Sequence, residues 1–389
     1  MNQTEKLYDL DAYAIEFDAT VQSCEEISSE TGICYQITLD RTLFFPEEGG
    51  QSPDSGNINE ISVIDVQIKE DIIVHTLVKP LKVGEQVHGC IDWKHRFNNM
   101  QQHTGEHIFS GLVNKRFGYD NVGFHLSDQI VTMDFSGVLT AQEAADIEFA
   151  VNEVIIKNIP VQVTFPSKEE LVNLNYRSKI EIDGQVRIVT IDGVDVCACC
   201  APHVRSTGEI GMLKIMNMQN YKGGVRVSIL CGFRALEEYR QKTAILSELT
   251  SSLSANQDSL VEAVNKLKNT NQSLKTEVAV AKQECMELKL EKIPKEQEDV
   301  YVFEGELDAQ VMRNAVNQLV SEHSGICGIF SGDDEEGYRF IIGSSTKDAR
   351  EVATVLREKL GAKGGGSAAM VQGSVTAKRK EILEIISSI

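Results

Sequence analysis

His103 and His107 in HTGEH, and Cys199 and His203 in CCAPH, are two pairs of metal-binding residues, each spaced four apart. Imidazole nitrogen and cysteine thiolate are the ligands a tetrahedral Zn²⁺ prefers, and three or four of them complete its shell. Residues four apart on a helix share a face, so two imidazoles in the apolar-flanked run around HTGEHIFSGL aim at one point. Either pair alone reads as a structural motif, whereas the two together specify a metal site. Cys197, Cys199 and Cys200 all precede His203, and any of them can ligate. Cys199 has the four-residue spacing, while in an extended or turning segment Cys200 points elsewhere. Cys197 and Cys200 otherwise read as small buried apolar residues or redox-sensitive neighbours.

The elements that must position these residues are read from periodicity. Up to about residue 90, alternating runs such as CYQITLD, ISVIDVQI and DIIVHTLV, broken by glycine and acidic turns, predict a β-rich module. Inside it RTLFFPEEGGQSPDSGNI must turn sharply, and Gly49 and Gly50 before Gln51 permit positive φ or close approach of backbone to a ligand. From 91 to 235 the pattern is mixed: an amphipathic helix through WKHRFNNMQQHTGEHIFSGLVNKRF, a strand in GFHLSDQIVTMDF, and a second helix in TAQEAADIEFAVNEVIIKN. Strands return in VQVTFPS and VRIVTIDG before the cysteine motif, giving an α+β class.

Residues 236–296 change character, with leucine at 246, 253, 260, 267, 274 and 288 and Ala281 in the remaining seventh position. This predicts a long helical, coiled-coil segment, although the companion column of Leu249, Asn256, Ala263, Thr270, Glu277 and Glu284 is poorer. A homodimer through this helix is expected in preference to an intramolecular helical pair. From 297 to 389 follows a small α/β module ending in GAKGGGSAAMVQGS, whose glycine triplet predicts a flexible or ligand-approaching loop.

Composition narrows the class. A chain of 389 residues with 42% hydrophobic content has ample material for packed cores, in about two or three domains. No apolar run is long enough to cross a bilayer. The polar, acidic start MNQTEKLYDLDAY is unlike a secretory signal, and an odd nine cysteines suit reduced thiols and a metal site better than a disulfide framework. The expected location is the cytoplasm. A net charge of −20, from 38 basic and 58 acidic residues, leaves any nucleic-acid contact to local clusters: Lys94, His95 and Arg96; Lys222 and Arg226; Lys378, Arg379 and Lys380.

At this point the chain resembles the AlaX-type alanyl-tRNA editing proteins of the long form, an editing domain of alanyl-tRNA synthetase followed by a C-terminal DHHA1 domain. FFPEEGGQSPDSG resembles the family's FYPxGGGQxxDxG, HTGEH its first zinc pair, CCAPHV its second, and GAKGGGSAAMVQGS the GGKGGGRPDMAQ loop of the synthetase. The resemblance implies a β-rich glycine-motif module over 1–90, a zinc-dependent editing module over 91–235, the helical segment, and a DHHA1-like domain over 297–389. It implies that His103, His107, Cys199 and His203 bind Zn²⁺ beside a pocket for the aminoacylated 3′ end of a tRNA. Gln51 lines that pocket, Thr42 recognises a serine hydroxyl, and His125 is a further pocket residue. Lys363, Gly364, Gly365, Gly366, Lys222 and Arg226 are expected to contact the tRNA.

The implied reaction is hydrolysis of the ester joining serine, and also glycine, to tRNA for alanine, without amino-acid activation and therefore in trans. The resemblance breaks where Ser367, Ala368 and Ala369 replace the synthetase's Arg, Pro and Asp, and where Cys197 stands for an acidic residue. Two other classes compete. HTGEH also fits the HxxEH of metallopeptidases, with Glu106 as general base, and a closed four-ligand site suits a non-catalytic tRNA-binding scaffold.

Overall fold

The computed structural model describes residues 3–29, 32–178 and 184–388. It has two compact units, Met1–Ile245 and Leu246–Ile389. The mixed α+β class holds throughout, and among the described residues no helix is long and apolar enough to cross a membrane.

The first unit contains six antiparallel strands: β1 (Glu16–Ser29), β2 (Gly32–Leu39), β3 (Gly56–Ile58), β4 (Ile61–Lys69), β5 (Ile72–Leu77) and β6 (Gln86–Ile91). They close into a barrel in the order β1-β2-β5-β4-β3-β6, with β6 pairing back onto β1. Strict alternation makes this possible. Ile73, His75 and Leu77 of β5 and Val87 and Ile91 of β6 are buried, and their neighbours are not. Ile37, Phe44, Phe45, Ile58 and Val66 fill the interior.

The interior also holds a histidine. His75 is fully buried, its Nδ1 lies 3.3 Å from the Ile37 carbonyl, and its Nε2 lies 2.9 Å from the Thr42 hydroxyl. A carbonyl only accepts, so Nδ1 carries the proton and the Thr42 hydroxyl donates to Nε2. Burial pushes this imidazole down to about 4.

A 25-residue helix, α1 (Trp93–Phe117), follows the barrel, opened by the Asp92 side chain accepting from the His95 amide and closed by Gly118 at φ +71°. Sequence periodicity suggested an amphipathic helix, but every residue from Asn99 to Gly111 is buried. Its polar side chains are kept inside because each meets a partner: Gln101 donates to the Glu209 carbonyl, Gln102 exchanges two hydrogen bonds with the Cys231 backbone, and Asn99 accepts from Arg234. Around it lie β7 (Asn121–Leu126), β8 (Val131–Phe135), α2 (Ala141–Lys157), β9 (Val161–Thr164), β10 (Ile188–Ile191), β11 (Asp195–Ala198), β12 (Leu213–Tyr221) and β13 (Gly224–Cys231). They form a four-stranded sheet β12-β13-β8-β7 and a three-stranded sheet β9-β10-β11. The expected single strand through GFHLSDQIVTMDF is a hairpin of β7 and β8.

Arg96 ties α1 to the barrel. Its guanidinium is fully buried, pairs with both Asp54 oxygens, and donates to the carbonyls of Ala12 and Leu43. The basic cluster Lys94–Arg96 expected at a phosphate therefore loses its arginine to an internal ion pair.

The leucine-repeat region is two helices, α3 (Gly232–Ser252) and α4 (Leu260–Leu290), where one long segment was expected. Ser254 takes a positive φ of +48°, and the Asn256 side chain accepts from the Ser259 amide, local bonds that compete with helix continuation. Leu246, Leu267, Leu274 and Leu288 of the heptad column remain exposed in the chain.

The second unit is completed by β14 (Val300–Glu304), α5 (Ala309–Glu322), β15 (Cys327–Asp333), β16 (Gly337–Gly343), α6 (Ala349–Leu360), β17 (Lys363–Gly366), β18 (Met370–Val375) and α7 (Arg379–Ile386). The sheet order is β14-β15-β16-β18-β17. The glycine triplet expected in a loop is the exposed edge strand β17, paired in register with β18. Glycine is required there, since a Cβ at Gly364 would stand 2.2 Å from the Gln372 carbonyl oxygen.

Two stability predictions follow from the buried polar groups. Arg96→Ala strands the Asp54 carboxylate inside the protein and should cost about 3–5 kcal/mol in urea unfolding. His75, with its native pKa depressed, takes up a proton only on unfolding as pH falls from about 6.5 towards 4. Stability should therefore drop by roughly 2–3 kcal/mol between pH 7 and 4.5, and less in His75→Gln; an unchanged pH slope in that variant would refute the assignment.

Candidate metal centre

His103 and His107 stand one turn apart on α1, and Cys199 and His203 lie in the segment after β11. One ligand atom from each of these four residues lies within 4.8 Å of all the others. Cys199 Sγ is 3.5 Å from His103 Nε2 and 3.3 Å from His203 Nε2. A tetrahedral ion with bonds of about 2.0–2.3 Å fits a donor set of this size.

The second nitrogen of each ring is already committed. His103 Nδ1 donates to Gln51 Oε1 at 2.7 Å, and His107 Nδ1 to Asp195 Oδ2 at 3.0 Å. His203 Nδ1 donates to the Thr104 hydroxyl at 3.0 Å, whose own proton goes to the Met100 carbonyl. All three Nε2 lone pairs are thereby left for one point between them. Asp195 is itself gripped by Arg177 through Nε–Oδ1 and Nη2–Oδ2 bonds of 2.7 and 2.8 Å.

Electrostatics separate the three cysteines. Burial alone would push the Cys199 thiol up, but the His103 and His203 rings beside it hold it well below the usual thiol range. Burial pushes Cys197 up to about 11, and burial with the neighbouring Cys199 and Glu48 charges raises Cys200 as well. Cys199 is thus the thiolate of the set. Burial brings His203 down to about 3, a neutral imidazole suited to ligation.

An open cleft of ≈ 570 Å³ adjoins the cluster, lined by Glu48, Gly49, Gly50, Gln51, Ser52 and His125 among others. Backbone bonds from Leu126 N to the Gly50 carbonyl (2.7 Å) and Ser52 N to the Leu126 carbonyl (3.2 Å) fasten the glycine loop to β7. At Gly50, with φ +83°, a Cβ would lie 2.5 Å from the Phe124 carbonyl oxygen, so no larger residue allows this approach.

Gln51 and His125 both line this cleft. Thr42 is fully buried in the barrel interior and paired with His75. Arg226 is paired bidentately with Asp134 at 2.6 and 2.7 Å and lies over the Tyr221 ring, while Lys222 is exposed at the neighbouring turn. Lys363, Gly364, Gly365 and Gly366 are exposed on β17 of the second unit.

Sequence reasoning missed Asp195, Arg177 and Thr104. Asp195 stands two residues before Cys197 on a strand and so shares its face, which was a usable signal; Arg177 carried none. Glu106 of HTGEH is buried and accepts from Ser110 and Asn121.

His107→Ala should abolish stoichiometric metal binding. Asp195→Asn, which keeps the shape and loses the charge on Nδ1, should weaken affinity about 10–100-fold in a chelator competition titration. Full affinity in both variants would remove His107 from the ligand set.

Comparison with known proteins supplies the family. The family described as "Threonyl and Alanyl tRNA synthetase second additional domain" matches residues 186–228, which hold Cys199 and His203, and "tRNA synthetases class II (A)" matches residues 4–95, the barrel region. "Alanyl-tRNA editing protein Aarsd1" of Rattus norvegicus is 30% identical over 97% of this chain and 96% of its own length. "Alanyl-tRNA editing protein AlaX-L" of Pyrococcus horikoshii is 28% identical over 98% and 97%. "Alanine--tRNA ligase" of Ignicoccus hospitalis is 34% identical over 71% of this chain and 31% of the ligase. With near-complete coverage and both ligand pairs in place, the chain belongs to the alanyl-tRNA editing protein family.

Proposed function

We propose that this protein hydrolyses serine, and glycine, from tRNA wrongly charged in place of alanine, acting in trans on the finished ester. The observation that carries this reading is the convergence of four metal-ligand atoms at the edge of an open cleft, in a chain of the alanyl-tRNA editing family. Water adds to the acyl carbon, the bond to the terminal ribose oxygen breaks, and that oxygen leaves with a proton. Zinc held by His103, His107, Cys199 and His203 would supply Lewis-acid polarisation or a water of lowered pKa.

The chain's own residues do the positioning. Gln51 bridges the centre and the cleft, with Oε1 on His103 and Nε2 left for substrate. His125 borders the same space and is placed to contact the terminal nucleotide or the ester. Thr42, its proton given to His75, is an acceptor for the serine hydroxyl, and His75 fixes that orientation. A buried hydrogen bond to a hydroxyl discriminates strongly against the analogue that lacks it. Lys222 and Arg226, and the edge Lys363–Gly366, are proposed contacts for the tRNA body; the exposed leucines of 236–296 are the proposed seam of a homodimer; the cytoplasm is the proposed compartment.

The decisive experiment incubates purified protein with seryl- and alanyl-tRNA for alanine. Serine should be released with a preference approaching the ~10⁴-fold that hydroxyl recognition achieves, and Thr42→Val should narrow it. Equal inertness towards both substrates would overturn the reading.

A further inference from the structure

Helix α4 (Leu260–Leu290) carries a full heptad pattern once its leucines are placed at d. Leu260, Leu267, Leu274, Ala281 and Leu288 then form the d column, and Val264, Asn271, Val278 and Cys285 form the a column. The flanking columns are charged and of opposite sign. Lys268, Lys275, Lys282 and Lys289 hold the e positions, and Glu277 and Glu284 hold g in the second half of the helix. Four heptads with a mainly apolar seam and charged flanks are the pattern of a two-stranded coiled coil.

The helix already uses its other side. Met286 and Leu290, at b and f, are buried with Val300 of β14 and with Val311, Met312 and Ala315 of α5. The d residues Leu267, Leu274 and Leu288 are 58%, 53% and 59% exposed, Val278 at a is 52% exposed, and Cys285 is exposed as well. The seam is an apolar stripe left bare in the single chain, on the face turned away from that packing.

Charge decides what covers it. In a parallel, in-register pair, g of one helix faces e of the following heptad on the other, which sets Glu277 against Lys282 and Glu284 against Lys289 of a second copy. An antiparallel pair faces e with e and g with g, so lysine meets lysine along the helix. Lys282 and Lys289 also touch their own chain, at the Glu306 carbonyl and the Glu304 carboxylate, but an ammonium has three donors and serves both. Asn271 supplies the register, because one asparagine at a is satisfied by its twin across the seam and by no apolar neighbour.

We propose that α4 pairs with α4 of a second copy of this chain as a parallel, in-register coiled coil over residues 264–288, in which Asn271 and Cys285 each meet their twin. This rests on the homodimer named above, fixes its direction, register and extent, and is independent of the deacylase reading.

The test uses the full chain, with sedimentation equilibrium for its mass and a short bis-maleimide, which adds one thiol at each end, for the position of Cys285. Cys285 is the one exposed cysteine among the described residues. The reagent should give a covalent dimer on a denaturing gel, and Cys285→Ser should abolish it. Glu277→Lys together with Glu284→Lys should weaken association by roughly tenfold or more, the value of two surface ion pairs turned into repulsion. Asn271→Val should tighten association or give higher oligomers, and no change in either removes Asn271 from the seam. A monomer at every concentration sinks both this proposal and the dimer it rests on. A dimer in which Cys285 does not link, or whose affinity ignores the charge reversal, sinks the parallel register and leaves association through another face.

Discussion

The site depends on the buried contact between α1 and the glycine loop, made by the Arg96–Asp54 ion pair at one end and the His103–Gln51 hydrogen bond at the other. His103 and His107 on a helix and Gln51 on a barrel loop belong to different layers of the fold. Unless both are held to a few tenths of an ångström, the cleft and the ligand cluster do not register. Asp54 is the aspartate of FFPEEGGQSPDSG, so the motif carries its own anchor: it turns at Gly49 and Gly50, presents Gln51, and is fixed three residues later. Arg96 is shielded from water on all sides, which makes the clamp strong and intolerant of losing either partner.

The helix bearing HTGEH is unusual in being buried all round along its middle while rich in polar residues. Asn99, Gln101, Gln102, Thr104, Glu106 and Ser110 are kept inside because the surrounding strands and loops satisfy them, and that scaffolding fixes the two histidine rings. Charge is handled with the same economy. In a chain of net charge −20, two of the arginines with a sequence claim on phosphate, Arg96 and Arg226, pair with Asp54 and Asp134, the first wholly buried and the second part-exposed. Lys222 and Lys363 remain exposed.

Much of this was legible beforehand. Alternation in DIIVHTLV and its neighbours marked the barrel strands because period two is a local property of a half-buried strand. The clustering of His103, His107, Cys199 and His203 was legible because ligand chemistry restricts residue type. What escaped had non-local causes. Nothing in WKHRFNNMQQHTGEHIFSGL says that its polar face will be enclosed, since the partners lie in Glu209, Cys231 and Arg234. The hydrogen bond of Thr42 to His75 across the barrel is a contact invisible to spacing. The break after Ser252 turned on side-chain bonds of Asn256 and Ser259 that a heptad count ignores, and the Gly364–Gly366 run became a strand because β18 approaches too closely for side chains.

The ligands come from chain positions far apart, two on a helix and two beyond a distant strand, so a bound ion joins segments that an unfolded chain would let drift. Such a cross-link acts on the denatured ensemble much as a covalent staple does, by forbidding its most expanded members. Because the donor set exists only when the chain is folded, affinity for the ion is also a contribution to folding. A chain with an ion bound there would therefore unfold less readily than the empty one.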